Sequence, residues 1–340
     1  MESKSNLHYN YVYFNANCNG FILNPDEYNA ICTRDLESLD NVQVVQAPLQ
    51  MSSCILRFLF NVHNDERISR RVCVPFKKIW YPLYFKDNFT NQKPLCFVFA
   101  SSDYSFDYIH YLRKKYKNCK TVKIHRDLVK VAHCNPQYSE ENMNREFDLR
   151  LTFDYEEAKK YHMVHFDEIE SKVNVKIADN YPLTDVFFAG KAKDRLPKII
   201  EAYDLFTSYG LKCEFYITHV KPEDQIKRDG IIYSNSFMPY KEMLYKSVNC
   251  RFMFDINQAG AVGYTSRFLE AVIYNKLLIT DNVAVKHTKF YSSGNILFYE
   301  NINDIKKDFF EKTPSDYNYN NEFSPIPVSY THLRAHETRH

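Results

Sequence analysis

"CRFMFDINQAGAVGYTSRFLEAVIYNKLLITDN", residues 250–282, contains an apolar run, a loop with two glycines, an amphipathic stretch and a second apolar run. The run "CRFMFDI" (250–256) has the length and composition of a buried strand. After Gly260 and Gly263, Thr265 or Ser266 is placed to cap a helix. That helix directs Phe268, Leu269, Val272 and Ile273 to one face and carries Arg267 and Glu270 in its first turns. A strand, a loop, a helix and another strand in succession make the unit from which parallel sheets are built.

The same alternation extends in both directions. Towards the N-terminus, the second half predicts strands at 185–190, 212–218 and 230–235 and helices over 195–210 and 239–249; "ILFYE" (296–300) adds a strand after the quoted segment. The first half predicts strands at 11–14, 42–46, 95–100, 121–125 and 149–153, with helical spacing in "CILRFLFNVH" and "DYIHYLRKKYK". Residues 67–91, interrupted by Pro75 and Pro82, receive no assignment. Hydrophobic periodicity fades over 167–184, so the expected organisation is α/β, with two Rossmann-like parallel-sheet domains at 1–180 and 181–313 and a tail at 314–327. The stretch "VSYTHLRAHETRH" (328–340) resembles translated adapter read-through; it is left out of the fold, and His332, His336 and His340 are not counted as metal ligands.

Composition narrows the function. A chain of 340 residues with 45% hydrophobic and 16% aromatic content has enough apolar mass for two cores. A net charge of +2 with 25% charged residues excludes a polycation, and no nucleic-acid partner is expected. No apolar run reaches the roughly 18 residues of a membrane helix, and the polar start lacks a signal peptide, so the expected location is the cytoplasm. Nine scattered cysteines without a CxxC pair argue against a disulfide framework and against a zinc site. The absence of GxGxxG argues against a nicotinamide or flavin cofactor.

Ligands of open parallel sheets bind beyond the carboxyl ends of the strands, where helix N-termini point free N–H groups. Gly190, Gly260 and Gly263 all follow predicted strands. The amides of Gly263, Tyr264, Thr265 and Ser266, with Arg267 beside them, suit a diphosphate. Glu270 shares the Arg267 face, where it is placed to accept ribose hydroxyls; the same spacing also describes an exposed ion pair worth about 0.3–0.5 kcal/mol. In the first half, Asp103 or His125 is a candidate base for an acceptor hydroxyl, a helix cap being the other reading of each. Seven Lys and Arg residues between Arg113 and Arg126 suit either an anionic membrane surface or a solvated helix end.

"GYTSRFLEAVIYNKLLITDN" (263–282) resembles the donor-site segment of GT-B glycosyltransferases, and "DVFFAGKAKDRLPKIIEAY" (185–203) resembles the opening of their donor domain. The likeness is strongest to bacterial enzymes of lipopolysaccharide, capsule and exopolysaccharide assembly. It covers mainly 184–300, with a weaker echo in 147–166. It implies a metal-independent transferase with two domains facing across a cleft, a nucleotide-diphosphate sugar as donor, a glycan or lipid-linked acceptor and no separate cofactor. By the same resemblance Glu270 binds the ribose, and Lys191 with Arg195, next to Gly190, holds the diphosphate. Many retaining members carry a second glutamate where this chain has Val262, leaving Gln258 or Asn257 for polar contacts. A catalytically silent nucleotide-sugar binder and a nucleotide-sugar epimerase fit the same motifs.

Overall fold

The computed structural model describes residues 9–15, 27–45, 53–64, 76–100, 105–126, 128–129, 139–258 and 263–326. The chain divides into two units, 1–169 with 325–340, and 170–324.

In the first unit the elements run β1 (Asn10–Phe14), α1 (Glu27–Cys32), β2 (Val42–Val45), α2 (Cys54–Asn64), α3 (Tyr81–Tyr84), β3 (Leu95–Phe99), α4 (Phe106–Lys115), β4 (Lys120–His125), α5 (Glu140–Glu146), β5 (Leu149–Thr152), α6 (Tyr155–Lys160) and β6 (Val164–His165). The strands form one parallel sheet in the order β2-β1-β3-β4-β5-β6. Every residue of β1 and β3 is buried, as a sheet covered on both faces requires. Phe14 stacks on Phe99 with ring centroids 5.0 Å apart and meets Tyr108 of α4 edge-on at 5.9 Å. The stretch without a sequence assignment supplies Trp80, Tyr81, Tyr84 and Phe85 to this core. Pro82, which breaks the hydrophobic pattern, occupies the first turn of α3, where its missing N–H has no intrahelical partner to lose.

The second unit runs β7 (Thr184–Lys191), α7 (Leu196–Ser208), β8 (Cys213–Thr218), β9 (Ile231–Ser234), α8 (Tyr240–Val248), β10 (Cys250–Asp255), α9 (Ser266–Ile273), β11 (Leu277–Thr280) and β12 (Ile296–Phe298). Its parallel sheet has the order β12-β11-β10-β7-β8-β9. Alternation along β7 sends Val186 and Phe188 into a cluster with Phe206 of α7, and Phe187 into another with Phe268 and Leu269 of α9. The sheet is thereby covered on both faces. Gly210 ends α7 with φ +83°, a conformation that favours glycine. Strand order reverses between β7 and β10, the switch point at which doubly wound sheets open a crevice.

Two domain limits differ from the expected ones. The dividing point lies at Glu170, because residues 170–180 attach to the second unit: the Ala178 amide donates to Asn249 Oδ1 at 2.7 Å and the Val173 amide to the Tyr274 hydroxyl at 3.1 Å. Nor is 314–324 a tail. Tyr317 and Phe323 are buried in the α9 cluster, and the Tyr317 hydroxyl donates to the Lys276 carbonyl at 3.1 Å. Both segments are polar or aperiodic, and single anchoring side chains leave no periodic signal. The stretch 328–340, expected from its sequence to be read-through, lies outside the described residues.

Candidate functional site

At the β7/β10 switch point the chain leaves β7 through Gly190 and Lys191 and turns through Lys193–Arg195 into α7. Arg195 ties this turn to the end of β10, since its guanidinium donates to the Ile256 carbonyl and, at 2.6 Å, to the Lys191 carbonyl. Its Nε is buried with no partner among the described residues. Lys193, at φ +47°, donates to Gln258 Oε1. Lys191 Nζ stands 4.9 Å from the centroid of the Phe237 ring. Lys193 and Arg195 thus meet the segment that follows β10, while Lys191, the third basic residue of the alternation, lies against Phe237. Lys193 was not singled out from the sequence, although the pattern "KAKDR" carried the signal.

The start of α9 is held from below. Thr265 is the N-cap: its hydroxyl accepts from the Phe268 amide at 3.2 Å and donates to Asp255 Oδ2 at 2.9 Å. Thr280 donates to the same oxygen at 3.0 Å. Asp255 is buried, which pushes its carboxyl above the usual range, and the two hydroxyls only partly offset this. Asn282 Nδ2 donates to the Gly263 carbonyl at 2.8 Å, fixing a glycine at φ +111°. Because the first intrahelical bond of α9 is that of the Leu269 amide to the Thr265 carbonyl, the amides of Ser266 and Arg267 precede it. Tyr264 packs on Phe268 with centroids 5.0 Å apart.

Glu270 and Arg267 occupy different surroundings from the open face expected. Glu270 is 0% exposed; its Oε2 accepts from Arg267 and its Oε1 from the Tyr240 hydroxyl at 3.1 Å. The same hydroxyl lies 2.7 Å from Glu170 Oε1. Burial opposes the Arg267 charge most, but Glu270, Tyr240 and Glu170 together outweigh it and hold the guanidinium above its ordinary value. The exposed ion pair considered for this spacing is therefore a buried one, because α9 is enclosed on all sides. Arg267, committed to Glu270, does not stand beside the amides as a further diphosphate cation.

In the first unit Asp103 lies outside the described residues. His125 ends β4 but is 3% exposed, with its Nε2 3.4 Å from Arg150 Nη2. Arg150 in turn donates to both Glu140 oxygens, at 2.6 and 3.0 Å. The basic run does not form one cationic surface: Arg113 and Lys120 pair with Asp148, Lys123 is buried, and Arg126 is enclosed by Asn29, Tyr28 and Glu168. Lys114, Lys115 and Lys117 remain exposed. Among the described residues no helix is long and apolar enough to cross a membrane, and no His, Cys, Asp and Glu residues group to hold a metal.

No protein-family model and no curated protein sequence matches the chain. Solved structures do. An alpha-glucosyltransferase in complex with UDP-glucose and DNA containing an abasic site aligns with a TM-score of 0.53 at 12% identity, over 96% of this chain and 92% of that one. An alpha-glucosyltransferase in complex with UDP and a 13-mer DNA containing a HMU base gives 0.54 at 12% identity, over 88% of each chain. With its two six-stranded parallel sheets, the chain has the GT-B-like α/β fold that the sequence resemblance implied.

Proposed function

We propose that the chain is a glycosyltransferase that takes a sugar from a nucleotide-diphosphate donor held by the second unit. The observation that carries this reading is that the Lys193–Arg195 turn and the capped start of α9 both bond to the end of β10 at the switch point, with Lys191 at the end of the neighbouring strand. Glycosyl transfer builds negative charge on the departing diphosphate, so fixed cations and amides there favour the transition state over the bound donor. Lys191 and Lys193 supply the charge and the Ser266 and Arg267 amides the donors. Arg195 shapes the turn, and its unpartnered Nε faces the same need for an acceptor. Glu270 reaches a ribose only by exchanging its bond to Tyr240 for one to the sugar hydroxyl.

The acceptor in this reading is a glycan or a lipid-linked sugar of cell-surface polysaccharide assembly, the setting implied by the sequence resemblance. Asp103 stays the base candidate for its hydroxyl; His125 takes that role only if its buried ring opens. Peripheral contact with an anionic membrane rests on Lys114, Lys115 and Lys117. Replacing all three by Ala should lower co-sedimentation with anionic liposomes, and unchanged binding refutes the contact.

The donor reading is tested by incubating the protein with a panel of nucleotide sugars, with and without glycan, lipid-linked and duplex DNA acceptors, and following nucleoside diphosphate release. Acceptor-dependent release supports transfer. Binding without release indicates a silent binder, interconversion of donors an epimerase, and no binding of any nucleotide sugar removes the proposal.

A further inference from the structure

Three adjacent strands of the second unit end side by side. Lys191 of β7 is in register with Thr218 of β8, and Thr218 with Ser234 of β9. Lys191 continues the alternation of Phe187 and Ala189, which pack on the α9 side. On β8, Cys213, Phe215 and Ile217 pack into the opposite face, which leaves Thr218 on the same side as Lys191. Thr218 is 1% exposed, and its hydroxyl has no hydrogen-bond partner among the described residues. A buried hydroxyl left unpaired is unfavourable, so its position at the carboxyl end of a strand calls for a ligand atom.

Phe237 belongs to the same group. It is 59% exposed, with Lys191 Nζ 4.9 Å from its centroid and the His219 ring 5.3 Å away. The turn that carries it is pinned: the Tyr216 hydroxyl donates to the Ser236 carbonyl at 3.1 Å, and the Ser236 amide donates to Ser234 Oγ at 3.1 Å. His219, directly after Thr218, has φ +60°, a left-handed conformation that a side chain other than glycine adopts at a cost. An exposed aromatic ring is thus held on a fixed turn against His219, and the residue before His219 carries a buried hydroxyl that lacks a partner among the described residues.

We infer that Phe237 is the stacking platform for the nucleobase of the donor, and that the Thr218 hydroxyl bonds a polar atom of the base or its ribose. This rests on the donor reading above. With the diphosphate at the β7/β10 corner, the platform lies one to two strands away on the β8 and β9 side, about 5–10 Å at the usual strand spacing, a distance a ribose bridges. A flat aromatic face accepts any base through its π-surface.

The test is equilibrium binding of uridine, guanosine, adenosine and cytidine diphosphates and of inorganic pyrophosphate to the full chain and its variants. Phe237→Ala should weaken whichever nucleoside diphosphates the wild type binds by about tenfold and leave pyrophosphate binding unchanged. Phe237→Trp should retain their affinity, and the new indole should be quenched by them but not by pyrophosphate; Trp80 is the only other tryptophan of the chain. Wild-type affinity in Phe237→Ala, or an equal loss for pyrophosphate, overturns the inference while the donor reading stands. A wild-type chain that binds no nucleoside diphosphate removes both.

Discussion

The Arg267–Glu270 pair shows how far identical residues at identical spacing can differ in consequence. On an exposed helix face such a pair contributes a few tenths of a kcal/mol. Here both partners are buried, so removing one leaves the other charged and uncompensated, which costs about 3–5 kcal/mol. Glu270→Ala should therefore lower unfolding free energy by about 3 kcal/mol, measured by urea denaturation, whereas the double variant Glu270→Leu with Arg267→Met should recover most of that loss. A single variant that costs less than about 1 kcal/mol would mean that the pair is solvated. The consequence for function is direct: weaker nucleotide binding by Glu270→Ala reports a ribose contact only once its folded fraction has been measured. The sequence told that these two residues share a face; it was silent about Tyr240 and Glu170, which reach the site from 30 and 100 positions away. Contacts of that separation are products of topology, which no local spacing encodes.

At the scale of elements, α9 was legible because its boundaries are chemical: Thr265, one of the two caps the sequence offered, takes that position, and the apolar positions face the core. What holds the cap was not legible, since Asp255 gains its role only when the ends of β10 and β11 and the start of α9 converge on one carboxylate. Asp255 gives a pH-dependent expectation. Burial first, against the two hydroxyl bonds, raises its folded pKa above the unfolded value. The folded chain then holds this proton more tightly than the unfolded chain, so the contribution of Asp255 is full below the unfolded pKa of about 4 and is lost as pH rises through the folded pKa. Compared with Asp255→Asn, which does not titrate, the wild type should lose unfolding free energy as the pH rises above about 4. A difference that stays flat or grows with pH would show that the carboxylate is ionised and well solvated in the folded state. The helix start depends on the same residues, so a change in cap geometry should accompany any loss of donor binding by Thr265→Ala.

For the whole molecule, the alternation of strands and helices was readable because buried parallel strands are continuous apolar runs and crossover helices are amphipathic. The limits of the second unit were not, because its ends attach by scattered anchors. Residues 170–180 contribute the Ala178 amide and the Lys176 carbonyl, both held by Asn249, and 314–324 contribute Tyr317 and Phe323 to the α9 cluster. These anchors make a prediction about fragments. Residues 170–324 contain a complete six-stranded sheet with helices on both faces and should unfold as one cooperative transition when expressed alone. Residues 181–313, the span suggested by periodicity, omit two large buried aromatics whose individual loss costs about 3–5 kcal/mol each in a well-packed core, and leave Asn249 without the Ala178 and Lys176 backbone groups it binds. Against a usual domain stability of about 5–15 kcal/mol, that fragment should be largely unfolded at 25 °C, with weak near-ultraviolet circular dichroism and rapid proteolysis. Equal cooperativity in the two fragments would mean that the flanking segments decorate the unit without closing its core.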